Sequence, residues 1–297
     1  MNGMIYLFLC ILSSTGIFLV FKYLDRYQLP AFPVIVINYL TAATLGFMIN
    51  QQKASLNLAE GWSWVPLSLI IGVLFIVMFF VIARSSASAG LSVTTVASKM
   101  SVVFPITFSL IIDDGDMLNL VKMIGILAAL TGVFLTVWKP RTIAAKAPNQ
   151  MLLPLTLFVG MGIVDSLVKS AQHYYVDNEV RALFSAVLFS VAFLTGIIIL
   201  PFRGKLIPWF GKGIIWFWGI LLGTCNFGSI FFMVSALNYS SKEGHVIDSS
   251  IVFGANNIGI VTLSVLAGLI IFSERLRWIN WVGIGFSLVA IILFMWS

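Results

Sequence analysis

Lys99 is the residue whose type and position most clearly suggest chemistry. It lies near the middle of an apolar stretch, residues 91–112, where a lysine costs about 2.5–3.5 kcal/mol on insertion scales. Its ammonium is too far from either surface of a ~30 Å hydrocarbon layer to reach water. Pro105, six residues on, removes a helical hydrogen bond and is expected to leave the Ser101 carbonyl unpartnered. A buried cation beside loosened backbone favours a site for a carboxylate or phosphate; the alternative is a pair with an acid on another helix.

Asp165 is the only acidic residue well inside a predicted span, and Lys169 follows it by one helical turn. An acid followed by a base at this spacing is a favourable pair on a helix. Two interpretations stay open. Asp165 either forms a neutral intrahelical pair with Lys169, or it titrates and faces Lys99 across a cavity when substrate is absent. If the protein is coupled to protons, Asp165 is the first candidate for the proton carrier.

Three amides, Asn226, Asn256 and Asn257, lie in apolar stretches of the second half. Neighbouring positions on a helix point about 100° apart, so one of Asn256 and Asn257 is expected to face a cavity and the other a neighbouring helix. Interhelical hydrogen bonds are the common role of such side chains in bilayers. The candidate substrate-binding residues are therefore Lys99, Asn257, Asn256, Asp165 and Asn226.

No motif for catalysis or for a cofactor accompanies these residues. The sequence contains no H-E-x-x-H, no G-x-x-x-x-G-K and no G-x-S-x-G, so zinc hydrolysis, ATP hydrolysis and serine catalysis have no support in it. We therefore expect no catalytic residue, no cofactor and no metal. This favours a binding or transport function over an enzymatic one.

Four small residues are expected to serve packing. Cys10 and Cys225 fall inside apolar runs and are interpreted as core residues rather than as a disulfide or a metal pair. Gly219 and Gly223 match the G-x-x-x-G motif of close helix packing. In a many-helix bundle this motif is expected to seat a neighbouring helix rather than to form a dimer.

The elements that must position these residues are membrane-spanning helices. The chain has 297 residues, of which 60% are hydrophobic and 9% charged, with a mean hydropathy of +1.05. A soluble domain carries about 25% charged residues. A soluble enzyme, a nucleic-acid-binding protein and a disordered chain are therefore excluded. The net charge of +6 is ordinary for a membrane protein with basic cytoplasmic loops.

The hydropathy pattern predicts an all-α membrane protein with ten transmembrane helices. Each apolar run approaches the roughly 20 residues that a helix needs to cross the hydrocarbon layer. The predicted spans are residues 4–21, 32–50, 64–83, 91–112, 120–138, 151–170, 182–202, 214–236, 247–272 and 279–296. The connections between them are too short to hold a soluble domain.

The two halves of the chain repeat weakly. Residues 103–127 contain FSLIIDDGDMLNLVKMIGIL and residues 264–286 contain VLAGLIIFSERLRWINWVGIGF. Each segment is an apolar span, an acidic break, a short amphipathic stretch and a further span that opens with glycine. Aligning Gly125 with Gly283 superimposes the two patterns.

The same register places Asn257 on the position of Lys99, which favours that pair as a binding site. The repeats comprise residues 1–146 and 147–297, with five predicted spans each. Because five is odd, the second copy must enter the membrane in the opposite sense. Inverted repeats of this kind are typical of alternating-access transporters, whose substrate site lies near the membrane midplane between the repeats.

The five-plus-five layout and the ending FSERLRWINWVGIGFSLVAIIL resemble the EamA-type branch of the drug/metabolite transporter superfamily, over essentially the whole chain. In the first half, the Glu of the family pattern is replaced by a run from Asp113 to Asp116. The resemblance implies ten helices around a central cavity and transport of a small molecule. It does not identify the substrate, because members carry amino acids, drugs, nucleotide-sugars and phosphorylated sugars.

The sequence thus predicts a secondary-active transporter of a bacterial plasma membrane that moves a small anionic or zwitterionic metabolite by alternating access. The expected partners are this substrate, the lipid bilayer and a coupling proton, with no nucleic acid. A monomer and a homodimer are both open. The alternatives are a flippase for a lipid-linked or amphipathic substrate and, in a different class, an intramembrane enzyme acting on a polyprenyl phosphate.

The distribution of basic residues predicts that both termini lie outside the cell. Eleven basic residues lie in the odd-numbered connections: Lys22, Arg26, Arg84, Lys139, Arg141, Lys146, Arg203, Lys205, Lys212, Arg275 and Arg277. Five lie on the opposite side: Lys53, Lys122, Lys169, Arg181 and Lys242. Lys/Arg-rich connections stay in the cytoplasm. The family resemblance implies the reverse orientation, with both termini inside.

Overall fold

A computed structural model describes residues 2–49, 65–112, 119–138, 152–174, 181–242 and 249–296. Within these ranges the chain is helical and contains no strand. The α-helices are α1 (Asn2–Arg26), α2 (Ala31–Ile49), α3 (Val65–Ser88), α4 (Leu91–Met100), α5 (Val103–Ile112), α6 (Leu120–Val137), α7 (Leu152–Tyr174), α8 (Arg181–Ile199), α9 (Gly213–Lys242), α10 (Ser249–Ile270) and α11 (Trp278–Met295). A 3-10 helix, Leu200–Gly211, joins α8 to α9. The Asp113–Asp116 run lies outside the described residues.

Seven helical segments in the described ranges are long and apolar enough to cross a membrane. They are Met4–Arg26, Ala31–Ile49, Val65–Ser88, Leu91–Phe108, Leu120–Val137, Leu183–Gly211 and Gly213–Met233. Three shorter apolar helices accompany them: Leu152–Val168, Ala255–Ile270 and Trp278–Phe294. Large apolar side chains such as Phe8 and Phe134 are more than half exposed, as expected where lipid rather than water covers the helices. The predicted class, an all-α multi-pass membrane protein, is confirmed.

The predicted span 91–112 is not one continuous helix, because a turn at Ser101 and Val102 separates α4 from α5. Pro105 lies in the first turn of α5, where its missing N–H costs least. The prediction that the Ser101 carbonyl is unpartnered is wrong. It accepts a hydrogen bond of 2.9 Å from the backbone N–H of Phe104, since the turn supplies the donor that Pro105 lacks.

Of the three apolar clusters in the described residues, the smallest joins α3, α7 and α8, and two larger ones join most of the other helices. One joins α1, α2, α3, α8 and α9, with the Tyr39 ring 5.3 Å from Phe79 and 6.1 Å from Phe189 between centroids. The other joins α4, α6, α10 and α11 around side chains such as Met100 and Ile291. Helix α7 contributes to both larger clusters and packs against α3, α4 and α5.

Helices α6 and α11 approach each other through glycine on both sides. A side chain at Gly132 would collide with α11, and one at Gly283 would collide with the backbone of α6 at Thr136. Asn280, in the first turn of α11, donates a hydrogen bond of 2.8 Å to the Thr136 carbonyl near the end of α6. The end of α6 therefore lies beside the beginning of α11.

The G-x-x-x-G motif of α9 seats α2, as expected. A Cβ atom at Gly219 would lie 2.5 Å from the Ile37 side chain, and one at Gly223 would lie 2.6 Å from the Asn38 carbonyl oxygen. Only glycine lets the two backbones come this close. The motif therefore serves packing within the chain.

Connections that are far apart in sequence meet at one end of the bundle. Lys22, near the end of α1, lies 3.4 Å from Glu274, which follows α10. Glu274 in turn accepts a hydrogen bond from the N–H of Leu91 at the start of α4. Arg203 of the 3-10 helix lies over the ring of Phe32 at the start of α2. Helix beginnings and ends thus alternate at this end, as in helices that cross a membrane in alternating directions.

Candidate functional site

Lys99 lies in the last turn of α4, beside the break that leads to α5. Every other residue of α4 is buried, whereas the Lys99 side chain is partly accessible. Within the described ranges, the Lys99 ammonium has no hydrogen bond and no ion pair shorter than 4 Å. Its charge interacts through space with two groups on other helices, Asp165 on α7 and Cys10 on α1. The lysine therefore lies near both α1 and α7, and its side chain is not fully enclosed by the described residues.

Asp165 lies in the middle of α7 and points toward the break after α4. Its Oδ2 lies 3.0 Å from Ser101 Oγ, and its side chain is partly accessible, like that of Lys99. The structure thus brings Asp165 and Lys99 to the same place. The side chain of Lys169 lies outside the described residues, so the intrahelical pair stays an open alternative.

The Ser101 hydroxyl has two acceptors within reach. It lies 2.6 Å from the Ser98 carbonyl oxygen as well as 3.0 Å from the Asp165 carboxylate. A hydroxyl has one proton and donates to one acceptor at a time. With Asp165 ionised, Ser101 donates to one of the two oxygens and leaves the other without this donor. With Asp165 protonated, the carboxyl donates to Ser101 Oγ, which donates to Ser98, and all three groups are satisfied.

Cys10 connects this region to α9. Its Sγ donates a hydrogen bond of 3.1 Å to the Ser229 carbonyl, and Ser229 Oγ donates to the Asn226 carbonyl at 2.8 Å. Cys10 is 1% exposed and lies close enough to Lys99 for an electrostatic interaction between them. Sequence reasoning treated Cys10 only as a core residue, because nothing local in the sequence shows that α1 packs beside α4.

Asn226 forms an interhelical pair rather than a contact with Lys99. Its Nδ2 donates to Oδ1 of Asn38 on α2 at 3.2 Å. Both side chains are buried, and the pair lies where Gly223 lets α2 and α9 approach closely. Of the two roles weighed for Asn226, the described contacts match hydrogen bonding between helices.

Asn256 and Asn257 lie on α10, which packs against both α1 and α4. Asn256 is buried, and its Oδ1 has no hydrogen-bond partner among the described residues. Asn257 is partly accessible. A buried amide oxygen without a partner costs about 1–3 kcal/mol, so a donor from water or a ligand would be stabilising there. No described contact joins either amide to Lys99.

Glu274 is a functional candidate that sequence reasoning did not select. Its carboxylate accepts hydrogen bonds from the N–H groups of Leu91 (2.5 Å) and Ser92 (3.2 Å) and from Ser92 Oγ (3.0 Å). A carboxylate at the first N–H groups of a helix is favoured by the helix dipole. Glu274 also pairs with Lys22. The signal in the sequence was an acid directly after one apolar span, but its partner helix begins 183 residues earlier.

Two glycines make room for this carboxylate. Gly90, just before α4, has a φ angle of +100°, which glycine adopts without strain. A Cβ atom at Gly90 would lie 2.8 Å from Glu274 Oε1, and one at Gly268 would lie 2.7 Å from Oε2. Helix α4 thus has the Glu274 carboxylate at its beginning and the Lys99 ammonium in its last turn.

These elements define a multi-pass α-helical membrane protein with a charged region between its helices. No protein-family model matches the chain. The chain is similar to an uncharacterized protein of Haemophilus influenzae, with 27% identity over 297 residues that cover 98% of this chain and 96% of that protein. A crystal structure has the same fold at a TM-score of 0.61 and 14% identity, over 98% of this chain and 96% of the other. The overall arrangement of helices thus recurs in an experimental structure.

Proposed function

We propose that the protein is a secondary-active transporter that moves a small anionic or zwitterionic metabolite across a bacterial plasma membrane. Lys99 carries the proposal. It is the one partly accessible residue of an otherwise buried helix, and no described residue forms an ion pair with it. A carboxylate or phosphate of the substrate supplies the missing counter-ion. Transporters build such sites where membrane helices are interrupted, and Lys99 lies beside the break between α4 and α5.

The helix arrangement supports ten crossings in two inverted repeats. If α4 and α5 together form one crossing, the seven long apolar segments and the three shorter ones add up to ten. The last helices of the proposed repeats, α6 and α11, pack against each other through Gly132 and Gly283. Contact between equivalent helices is expected where they lie close to a two-fold axis that relates the repeats. This arrangement agrees with the resemblance to EamA-type drug/metabolite transporters, and membership in that group is part of the proposal.

Alternating access requires a seal that opens on each side in turn. Glu274, which follows α10, accepts a hydrogen bond at the start of α4. It also forms an ion pair with Lys22 near the end of α1. Lys22 also donates to the Ser86 carbonyl of α3 at 3.1 Å. We propose that this cluster closes the substrate cavity on the side of the odd-numbered connections. Opening on that side then separates Glu274 from the beginning of α4.

A proton is the proposed coupling ion, and Asp165 its carrier. When Asp165 is ionised it attracts the Lys99 ammonium, in competition with an anionic substrate. When Asp165 is protonated, that competition ends and the carboxyl donates to Ser101. Proton binding and anion binding therefore favour each other in this scheme. Asn256 and Asn257 supply hydrogen bonds on the α10 side.

The test begins with the substrate class. Purified protein is screened by thermal unfolding against matched metabolite panels: carboxylates, phosphates, amino acids, and cations as the negative set. We expect stabilisation by members of the anionic or zwitterionic sets, and loss of that stabilisation in Lys99→Gln. Lys205→Gln, an exposed lysine of the 3-10 helix, is the matched control. Stabilisation by cations alone, or equal responses in Lys99→Gln and the wild type, would exclude the proposed site.

A further inference from the structure

A cavity opens at the end of the bundle where the connections meet. Its volume is about 280 Å³. It is bounded by the end of α1, the beginning of α2, the last turns of α3 and the 3-10 helix. Its charged residues are Asp25, Arg84 and Arg203, and its other lining residues are apolar. Neither Lys99 nor Asp165 lines it, so it is distinct from the proposed transport site.

Two guanidinium groups in this cavity form cation–π contacts with the same aromatic ring, that of Phe80. The Cζ atom of Arg84 lies 5.1 Å and that of Arg203 lies 5.3 Å from the centroid of Phe80. Arg203 also lies 5.8 Å from the centroid of Phe32. Cation–π contacts of this kind fix the position of a guanidinium while its N–H groups stay free to bind a ligand.

The positive charge of the two arginines is not neutralised by the described part of the chain. Neither Arg84 nor Arg203 has a carboxylate within 4 Å there, and Asp25 lines the same cavity without forming an ion pair. Two cations and one anion leave a net positive charge. Ala31, where α2 begins, also lines the cavity, and the beginning of a helix adds positive potential. An anion is therefore the expected ligand.

The rim of the cavity has the residue composition of a membrane interface. The 3-10 helix at its rim contains Phe202, which is 87% exposed, and Trp209, whose ring lies 3.7 Å from the Lys212 ammonium. Short segments that combine exposed aromatic and basic residues are typical of the membrane interface. If the basic connections are cytoplasmic, as proposed from the Lys/Arg distribution, the cavity faces the leaflet that carries the anionic surface potential.

We propose that this cavity binds the phosphate group of an anionic membrane phospholipid. The guanidinium groups of Arg84 and Arg203 bind the phosphate oxygens in the fork geometry for which arginine is suited. The acyl chains then lie along the apolar outer surface beside Phe202. A free phosphate ester offers the same phosphate chemistry, but it would gain nothing from this exposed apolar rim. The site is independent of Lys99 and of the transport proposal.

The test compares lipid retention by the wild type and by Arg84→Gln/Arg203→Gln. The protein is purified from mixed vesicles of phosphatidylglycerol and phosphatidylcholine, and the bound lipid is counted by native mass spectrometry. We expect the wild type to retain phosphatidylglycerol selectively, and the double variant to lose this preference by about tenfold or more, since each charge-assisted contact contributes substantially. Lys205→Gln, on the same 3-10 helix but outside the cavity, should behave like the wild type.

A second measurement distinguishes a lipid from a soluble phosphate ester. The thermal unfolding midpoint of detergent-purified wild type is measured with added phosphatidylglycerol, phosphatidylcholine or glycerol phosphate. Of the three additives, we expect only phosphatidylglycerol to raise the unfolding midpoint, through Arg84 and Arg203. A rise with glycerol phosphate but not with phosphatidylglycerol would overturn the lipid assignment. So would equal phosphatidylglycerol retention by the double variant and the wild type. If the double variant does not fold, Arg203→Gln alone serves both measurements, with a smaller expected loss.

Discussion

Ser101 and Asp165 are joined by a hydrogen bond of 3.0 Å that connects the break after α4 to the middle of α7. The same hydroxyl reaches the carbonyl of Ser98 at 2.6 Å. Because one proton serves two acceptors, the charge of Asp165 and the hydrogen bonding at the end of α4 depend on each other. Lys99 occupies the last turn of that helix. We therefore expect a change in protonation at Asp165 to alter both the hydrogen bonding of the helix end that carries Lys99 and the electrostatic surroundings of the lysine.

Asp165→Asn is expected to separate transport from proton coupling. The amide cannot release a proton, so accumulation driven by a pH gradient should be lost while counterflow exchange continues. The measurement is uptake of the identified substrate into proteoliposomes with and without a pH gradient. Normal pH-driven uptake by this variant would remove Asp165 as the proton carrier. Normal transport by the Asp165→Asn/Lys169→Gln double variant would instead favour the intrahelical pair.

Ser101→Ala should weaken the link between Asp165 and the end of α4. We expect pH-driven uptake to fall by about tenfold or more, because a hydrogen bond to a charged group contributes about 1.5–3 kcal/mol and about 1.4 kcal/mol corresponds to a factor of ten. Ser98→Ala is the matched control, since Ser98 takes part through its backbone carbonyl, which the substitution keeps. Both residues are buried, so the two variants probe similar surroundings. Equal effects of the two substitutions would contradict the specific role of the Ser101 hydroxyl.

Lys99→Ala is expected to abolish transport and leave the folded protein intact. The substitution removes a charge for which no ion pair is described, so folding loses little. Transport is measured in proteoliposomes, and folding by size-exclusion chromatography and thermal unfolding. Lys99→Met tests the charge at nearly constant side-chain length. Full transport by Lys99→Met would show that a cation at this position is not required.

Glu274→Ala is expected to lower the free energy of unfolding by about 1–2 kcal/mol, the usual cost of removing a helix N-terminal cap. The substitution leaves the N–H groups of Leu91 and Ser92 without their acceptor. The check is the thermal unfolding midpoint in detergent. Arg275→Ala changes the exposed neighbouring residue and should shift stability by less than about 0.5 kcal/mol. An unchanged midpoint in Glu274→Ala would contradict the capping role.

The orientation proposed from the basic residues places both termini outside the cell. A reporter that is active only in the cytoplasm, fused after the C-terminus, should then give little signal. The same reporter inserted into the exposed 3-10 helix, after Gly204, should give a strong one. Strong signal from the C-terminal fusion would show the reverse orientation, the one that the family resemblance implies.

Composition and hydropathy sufficed to predict the all-α membrane class, because about 20 apolar residues without charge have few other structural solutions. They also singled out Lys99 and Asp165, since ionisable groups are costly in apolar spans. The helices extend beyond the predicted spans: α1 continues to Arg26 and α3 to Ser88. The thickness of the hydrocarbon layer sets the length of the apolar stretch, but the helix can continue beyond it into the polar region.

Contacts between distant segments could not be predicted. The pairing of Asn226 with Asn38 depends on how closely Gly223 lets two helices approach, and no local pattern encodes that distance. The capping of α4 by Glu274 likewise depends on a fold that brings together residues 183 positions apart. Pro105 indicated that the helix is interrupted near Ser101. The hydrogen bond from the N–H of Phe104 to the Ser101 carbonyl belongs to a turn, and hydropathy does not predict that turn.

The contact between Gly132 and Gly283 has a mechanical consequence. With no side chain on either glycine, the backbones of α6 and α11 nearly touch, and Asn280 fastens the adjoining ends. We call this contact between α6 and α11 the seam. The two helices cannot move closer because their backbones already nearly touch there, and the hydrogen bond from Asn280 opposes their separation. If the two halves rock during transport, points near the rotation axis move least, and this seam is suited to serve as the fulcrum. The larger displacements then fall on the helices farthest from it.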